Sequence, residues 1–359
     1  MSVTPGVMSR YSAAAKAPEA DLCCPIDYDQ RLLKLLPREI IDKDYGCGDP
    51  SRYVREGDVV LDLGSGGGKI CYMAAQIVGS TGKVIGVDMN DDMLGLARKY
   101  QAEMARKLGG DRVRFVKGYI QDLALDLEAA DTDQSRQKSS RPLIADASVD
   151  LVISNCVLNL VGETERTQMI REIARVLKPG GRVAISDIVS DEAVPEELKQ
   201  DSELWSGCIS GAFQEQDFLK AFVDAGFLAV GFDKWEASPW RVVHGIEFRS
   251  VTLTAVKGLG SPCLDYGHAV IYRGPFSSVA DDEGHVFPRG ERMAVCERTY
   301  RFLMQGPLKN DFIGITPAVL RDPPTPWCAP VGTRRAPAET KAGSYNTGCG
   351  DGGGCCGET

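Results

Sequence analysis

The feature that most constrains the fold of this chain is a short apolar segment that runs into a glycine-rich turn. Residues 58–63 predict a strand, Gly64 to Gly68 form the turn, and residues 69–78 predict a helix with apolar residues on one face. A strand, a glycine turn and a helix N-terminus together bring backbone N–H groups close to a polar or anionic ligand. The segment therefore predicts the first unit of an α/β fold, with a ligand at the carboxyl end of its first strand.

The alternation of strands and helices continues along the chain. Further strands are predicted at 83–87, 113–116, 149–154 and 182–186, and further helices at 91–99 and 164–177. The run at 149–154 is continuously apolar, as is typical of a strand buried on both faces. This alternation favours a doubly wound, mostly parallel sheet.

Changes in composition divide the chain into four predicted parts. These are an N-terminal segment (1–44), an α/β domain (45–231), a smaller strand-rich domain (232–330) and a flexible tail rich in glycine and cysteine (331–359). The first 30 or so residues are expected to be irregular, and residues 28–41 to hold one helix or two short ones because Pro37 interrupts the stretch. Alternating apolar residues at 247–254 and 269–272 predict strands of the second domain.

Charge and hydropathy narrow the classes of function. The formal net charge is −9 without a basic stripe, so a nucleic-acid substrate is not expected, since the protein would repel phosphate backbones. No apolar run is long enough to span a bilayer, and residues 1–20 lack a signal-peptide core, so a soluble, cytosolic protein is expected.

The twelve cysteines include no CxxC pair and no zinc-like spacing, which predicts reduced thiols, some of them with a chemical role.

Two acidic residues indicate which cofactor the glycine turn holds. Asp88 ends the second predicted strand, where its carboxylate is placed to accept hydrogen bonds from ribose hydroxyls. A dinucleotide oxidoreductase would carry a G-x-G-x-x-G turn, whereas here Asp62 precedes the sequence Gly64-Ser65-Gly66-Gly67-Gly68. An acid at that position disfavours a pyrophosphate and suits the ammonium group of S-adenosylmethionine.

Two further segments agree with this cofactor. The strand at 149–155 and the turn at 176–181 resemble those of class I methyltransferases, which implies that fold and a methyl-transfer reaction. The loop at 118–122 is expected beside the adenine, with an ordinary surface loop as the alternative. The residues predicted to contact the cofactor are Asp62, Gly64, Ser65, Gly66, Asp88, Met89, Ile120, Gln121 and Asn155.

The expected substrate side of the cleft carries cysteines rather than the groups that serve other methyl acceptors. Amino-group methyltransferases of nucleic acids use an Asn/Asp-Pro-Pro-aromatic loop, whereas residues 154–160 read Ser-Asn-Cys-Val-Leu-Asn-Leu. Oxygen methylation normally needs a general base or a metal, and no histidine precedes residue 244. Cys47, Cys156 and Cys208 lie in three segments that flank the cleft. Convergent thiolates predict a soft, thiophilic methyl acceptor.

The contexts of these three cysteines resemble those of arsenite S-adenosylmethionine methyltransferases. The resemblance covers roughly residues 45–230, and its segments are Tyr45-Gly46-Cys47-Gly48, residues 154–160 and residues 208–212. It implies that Cys47, Cys156 and Cys208 bind trivalent arsenic as thiolates and that Tyr45 covers the site. It also implies a further N-terminal cysteine that exchanges a disulfide during turnover, here Cys24 or its neighbour Cys23.

The same resemblance implies the small molecules that the protein meets. They are S-adenosylmethionine as methyl donor, arsenite or its thiol conjugates as substrate, and a thiol or thioredoxin as reductant. The N-terminal cysteine pair and the strand-rich C-terminal region are most similar to a cyanobacterial-type subgroup associated with arsenosugar formation.

Other interpretations stay open at the level of sequence. Methylation of a small organic oxygen, nitrogen or carbon is one alternative, and a thiol-rich metalloid-binding protein without turnover is another. Any single cysteine is more often buried than functional, and this interpretation is favoured for Cys71, Cys263 and Cys296. The cysteines of the glycine-rich tail are expected either to capture a thiophilic ion or to belong to a dispensable segment.

Overall fold

The chain folds into two compact units, residues 1–258 and 259–359, each with its own hydrophobic cluster. The structure is a computed structural model that describes residues 4–16, 26–43, 45–130, 141–305 and 307–341.

The first unit alternates helices and strands. Its helices are α1 (Thr4–Lys16), α2 (Gln30–Leu33), α3 (Arg38–Asp42), α4 (Lys69–Ile77), α5 (Asp91–Lys99), α6 (Gln101–Leu108), α7 (Leu127–Ala130), α8 (Glu163–Val176), α9 (Glu196–Lys199), α10 (Ser202–Ser206) and α11 (Glu215–Asp224). Its strands are β1 (Val59–Leu63), β2 (Lys83–Asp88), β3 (Val113–Lys117), β4 (Val149–Asn155), β5 (Leu177–Ser190), β6 (Phe213–Gln214), β7 (Phe227–Trp235), β8 (Arg241–Val243) and β9 (Ile246–Lys257).

These strands form one nine-stranded sheet. Along its main path the order is β3-β2-β1-β4-β5-β9-β7, with β6 paired to β5 and β8 paired to β9. The pairs among the first five strands are parallel, whereas β9 runs antiparallel to β5 and β7. The predicted doubly wound, mostly parallel fold is therefore confirmed. Because the strand order reverses at β1, the carboxyl ends of β1 and β4 border the crevice where ligands bind in such folds.

Alternate side chains of β1 point into two different cores. Val60 packs in the cluster that contains Tyr72 of α4, whereas Leu61 and Leu63 pack in the cluster that contains α8 and α11. Val60, Leu61 and Leu63 are each fully buried, and burial of such a side chain stabilises the fold by about 1.5–3 kcal/mol. Since successive residues of a strand face opposite sides, Asp62 is directed to the α4 side of the sheet.

The boundary between the two units lies after residue 258 rather than after residue 231 as predicted. The alternating pattern correctly predicts strands at β7 and β9, but it does not show which sheet they join. β9 pairs with β5 continuously from Arg182↔Val256 to Ser190↔Phe248. This long antiparallel ladder makes β9 an inner strand of the first unit, so residues 232–258 belong there.

Three local expectations have different outcomes. The predicted irregular N-terminus is wrong for α1, where a run of alanines favours a helix and Ala14 and Ala15 are buried. The two-helix alternative for residues 28–41 is confirmed, since Pro37 precedes α3. β5 begins at Leu177 rather than at residue 182, because the strand continues through the Lys178-Pro179-Gly180-Gly181 stretch.

The second unit is small and rich in strands, as expected. Its strands are β10 (Leu264–Asp265), β11 (Ala269–Tyr272), β12 (Ser278–Ala280), β13 (Val286–Pro288), β14 (Arg292–Ala294), β15 (Phe312–Ile315) and β16 (Thr325–Pro326), and its helices are α12 (Glu297–Gln305) and α13 (Pro337–Thr340). The expected flexible tail is wrong for residues 331–341, because Arg335 is buried and pairs with Asp265 at 2.7 Å. Residues 342–359 lie outside the described part of the chain. No helix among the described residues is long and apolar enough to cross a membrane.

Candidate active site

The turn after β1 forms an open cradle at the carboxyl end of the sheet. Gly64, Gly66 and Gly68 all have positive φ values, of 72°, 51° and 86°. A Cβ on Gly64 would lie 2.5 Å from a methyl group of Val157, so no larger residue fits there. A Cβ on Gly66 would meet no atom within 4 Å, and Ser65 Oγ is buried with no hydrogen-bond partner in the described structure. The open space beside Gly66 leaves room for a ligand such as S-adenosylmethionine.

Two carboxylates border this turn. Asp88, at the end of β2, accepts hydrogen bonds from Gly66 N and Asn90 N, both at 2.8 Å, so it braces the turn as well as facing the cavity. Burial raises the pKa of Asp88, although these N–H groups oppose the shift. Asp62 is buried, and its carboxylate accepts a hydrogen bond from the Cys71 thiol at 3.2 Å. Burial and then the adjacent Asp62 raise the pKa of Cys71, which keeps that thiol protonated as a donor.

The cavity above the turn has an empty volume of about 1060 Å³, part of it open to solvent. All the residues predicted to contact the cofactor line it, namely Asp62, Gly64, Ser65, Gly66, Asp88, Met89, Ile120, Gln121 and Asn155. Tyr45 and Cys156 line the same cavity, so its far end reaches the predicted substrate side.

The three predicted cysteines lie in one cluster at that end. Cys47 and Cys156 form a disulfide, although they are 109 residues apart in sequence. Cys208 is outside the disulfide, and its Sγ lies 3.4 Å from the carbonyl oxygen of Cys156. All three are at most 7% exposed and share an apolar cluster with Ile188, Ile209 and Phe248. The three cysteines therefore lie close together, but the prediction of reduced thiols is wrong for Cys47 and Cys156, whose sulfurs are bonded to each other.

The loop that carries Cys47 is held by the side-chain amide of Asn155. Asn155 Oδ1 accepts hydrogen bonds from Cys47 N at 2.9 Å and Gly48 N at 3.0 Å, and Nδ2 donates to Gly48 O at 2.8 Å. Ser250 of β9 donates to the carbonyl oxygen of Cys47 from the other side. Although Asn155 borders the cavity, three of its polar contacts go to this loop. Its first role is therefore to position Cys47 beside Cys156, the residue that follows Asn155 in the chain.

The glycines next to Cys47 permit this close approach. A Cβ on Gly46 would lie 2.1 Å from Asn155 Nδ2, and a Cβ on Gly48 would lie 2.3 Å from Ser186 Oγ. Such distances are far shorter than any van der Waals contact. The Gly-Cys-Gly sequence is required by packing against β4 and β5.

Cys156 and Cys208 share an unusual backbone conformation. Their φ values are +58° and +61°, in the left-handed region that residues with a Cβ rarely adopt. This conformation costs about 1–2 kcal/mol per residue. Strain of this kind persists where the surrounding structure imposes it, and it is concentrated at functional sites.

Asp187 organises the turn that follows Cys156. One oxygen of its buried carboxylate accepts hydrogen bonds from Leu158 N at 3.0 Å and Asn159 N at 3.3 Å. The other accepts from Asn159 Nδ2 and Ile188 N, both at 2.8 Å. Burial raises the pKa of Asp187 to about 7, although four N–H groups stabilise its ionised form. An Asp187 oxygen and the sulfurs of Cys47 and Cys156 all lie within 4.8 Å of one another, so this acid borders the cysteine cluster.

Helix α1 connects the cofactor cavity to Cys208. Val7, Met8 and Tyr11 line the cavity, and the Tyr11 hydroxyl is hydrogen-bonded to the Cys208 side chain. Burial and then the nearby Cys208 raise the pKa of Tyr11 well above its usual value, so the hydroxyl stays protonated. Arg10 donates to Ser206 Oγ at 2.8 Å in α10, the helix that leads to Cys208. Tyr45 joins this layer through its hydroxyl, which donates to Ala14 O at 2.9 Å.

Several residues of the site escape prediction from sequence. Asp187 and Tyr11 act through contacts with residues distant in sequence and lie in no motif, and Asn159 lies in the 154–160 segment without its own role being apparent from it. The nearest thing to a sequence signal for Asp187 is the buried turn after Cys156. Its backbone N–H groups need an acceptor that the turn itself does not supply. The predicted participant Cys24, with its neighbour Cys23, lies outside the described residues, and the tail cysteines do too.

Both parts of the chain match known protein families. Residues 55–226 match a family described as a methyltransferase domain, and residues 260–345 match a domain of unknown function. An arsenic(III) S-adenosylmethionine methyltransferase from Chlamydomonas reinhardtii has a crystal structure that matches with a TM-score of 0.58 and 28% identity, over 85% of this chain and 99% of that chain. The chain is thus similar in fold and sequence to an enzyme of this activity.

Curated relatives extend the similarity along most of the sequence. The arsenite methyltransferase of Rattus norvegicus is 29% identical over an alignment of 368 positions, which covers 92% of this chain and 88% of that protein. The arsenite methyltransferase of Aquipseudomonas alcaligenes is 36% identical over 286 residues, which cover 76% of this chain and 77% of that protein. Identity at this level across so much of both proteins, in a chain whose cofactor cavity ends at a cluster of cysteines, shows that the chain belongs to the arsenite methyltransferase family.

Proposed function

We propose that the protein transfers methyl groups from S-adenosylmethionine to trivalent arsenic held by Cys47, Cys156 and Cys208. The observation that carries this proposal is the meeting of three sequence-distant cysteines at the end of the cofactor cavity. Soft trivalent arsenic prefers thiolate ligands over oxygen or nitrogen. The family to which the chain belongs supports the same substrate.

The protein residues supply position rather than acid–base chemistry. Three thiols displace the oxygens of arsenous acid, As(OH)3 + 3 RSH → As(SR)3 + 3 H2O, and leave the arsenic lone pair opposite the sulfurs. Aiming that lone pair along the cavity requires no base to remove a proton, so orientation supplies most of the acceleration. S-adenosylmethionine, when bound, supplies the electrophilic methyl group. Asp62, Asp88 and the glycine turn are the groups that would hold it.

Redox state decides whether the arsenic site is available. In the disulfide state Cys47 and Cys156 have no thiol to offer, so two electrons and two protons must reach this pair before arsenic binds. A small dithiol or thioredoxin is the proposed reductant, and a reducing compartment such as the cytosol would supply it.

The biological role that we propose is arsenic detoxification or the formation of arsenosugar precursors.

Incubation of the purified, reduced protein with S-adenosylmethionine and arsenite tests the proposal. Methylated arsenicals, separated by arsenic speciation, and S-adenosylhomocysteine should form together. Cys156→Ser and Cys208→Ser should abolish both products, because two remaining ligands do not fix the lone pair. Cys296→Ser is the matched control, since Cys296 is an equally buried cysteine of the second unit. Methylated arsenic produced by the Cys156→Ser and Cys208→Ser variants at the wild-type rate would contradict the proposal.

A further inference from the structure

The second unit contains a disulfide that the proposed function does not use. Cys263 immediately precedes β10, Cys328 follows β16, and their Cα atoms lie 5.2 Å apart. Cys328 is exposed and Cys263 is half-buried. A reductant in solution therefore reaches this disulfide directly, in contrast to the buried pair of the first unit.

The two cysteines are held together by more than their sulfur–sulfur bond. Trp327 N donates a hydrogen bond to Cys263 O at 2.9 Å, next to the antiparallel pairing of β10 with β16. Asp265 of β10 pairs with Arg335 at 2.7 Å, and both side chains are buried. The guanidinium of Arg335 lies 5.6 Å from the Trp327 ring. Reduction would therefore leave two thiols facing each other on a fixed backbone rather than free to separate.

We propose that Cys263 and Cys328 form a redox-active dithiol site whose reduced form binds a trivalent arsenical. A soluble dithiol opens the disulfide, delivering two electrons and two protons to the sulfurs and becoming a cyclic disulfide itself. Arsenous acid then forms two As–S bonds and releases water: As(OH)3 + 2 RSH → (RS)2AsOH + 2 H2O.

Preorganisation gives this pair an advantage over isolated surface thiols. Once the first As–S bond has formed, the second forms within one molecule, at a high effective concentration of the partner thiol. Thiolates are also the ligands that soft ions select. The inference concerns binding alone, so it stands or falls separately from the proposed methyl transfer.

Protection from alkylation tests the site in the intact wild-type chain. The protein is reduced with dithiothreitol without denaturant, freed of the reductant under anaerobic conditions, and pulsed with iodoacetamide with or without arsenite. Peptide mass spectrometry then measures labelling at each cysteine. We expect labelling of Cys263 and Cys328 only after reduction, and arsenite should slow it by more than ~10-fold. Buried Cys296 serves as an internal reference that stays unlabelled.

Single substitutions separate a dithiol site from two independent thiols. In Cys263→Ser, arsenite should no longer protect Cys328, and the reverse variant should behave in the same way. A disulfide that survives native reduction, or Cys328 that stays fully protected in Cys263→Ser, would overturn the inference. The double variant should keep wild-type methylation at saturating arsenite. If it fails to fold, the wild-type protection experiment alone decides the matter.

Discussion

The amide of Asn155 gives the sharpest test of how the proposed arsenic site is built. Asn155→Ala removes the partners of three buried backbone groups, Cys47 N, Gly48 N and Gly48 O, whose bonds measure 2.8–3.0 Å. Each buried group left without a partner costs about 1–3 kcal/mol. The loop can escape part of this cost by detaching from β4, so Cys47 would leave the cluster before the whole domain unfolds. A loss of about 3 kcal/mol of arsenic-binding free energy corresponds to roughly 100-fold weaker binding.

Isothermal titration of arsenite into the reduced protein, saturated with S-adenosylhomocysteine, measures this loss. Reduction is essential because the disulfide would otherwise keep Cys47 beside Cys156. Gln76→Ala is the matched control, since the Gln76 amide also bonds two carbonyl oxygens, those of Leu32 and Tyr72, away from the cysteines. Unchanged arsenite affinity in Asn155→Ala, with a folded protein, would refute the positioning argument.

Three further predictions follow from single contacts. Tyr11→Phe removes the hydrogen bond to Cys208 but keeps the ring, so arsenite binding should weaken about 2- to 10-fold while S-adenosylhomocysteine binding, measured by calorimetry, stays constant. Asp187→Asn replaces a carboxylate that accepts hydrogen bonds from four N–H groups, so the methylation rate should fall about 10- to 100-fold. An unchanged kcat would show that the turn after Cys156 does not need this carboxylate. The hydrogen bond with Asp281 raises the pKa of His285 in the folded protein. The stability that this pair contributes is therefore fully present below the pKa of the unfolded histidine. It is lost as the pH rises through the pKa of the folded histidine. NMR titration of the three histidines should show the His285 pKa falling in Asp281→Asn, and an unshifted His285 would contradict the assignment.

Local patterns were sufficient to predict the residues that line the cavity above the glycine turn. The strand, turn and helix from Val59 to Ile77 are contiguous, so their geometry follows from residues that are neighbours in sequence. Asp88 is predictable for a related reason, because parallel neighbouring strands end at the same edge of the sheet. Every residue predicted to contact the cofactor lines the cavity.

The domain boundary shows what periodicity leaves open. Alternation of apolar residues predicts a strand at β9, but it reports only which side chains share a face. Membership of a sheet depends on which strand edge is available as a partner, and β5 pairs with β9 from Arg182 to Ser190. The site depends on this choice, because β9 brings Ser250 to the carbonyl oxygen of Cys47.

The sequence by itself determined the fold class, the cofactor turn and the three cysteine contexts, since each is encoded in a short stretch of chain. Only the tertiary structure decided that Cys47 and Cys156 lie within bonding distance, that Tyr11 meets Cys208, and that Asp187 anchors the turn after Cys156. The pairing of Cys263 with Cys328 was decided in the same way. These contacts join residues far apart in the chain, and their formation depends on how the sheet and its covering helices pack, which no local pattern records.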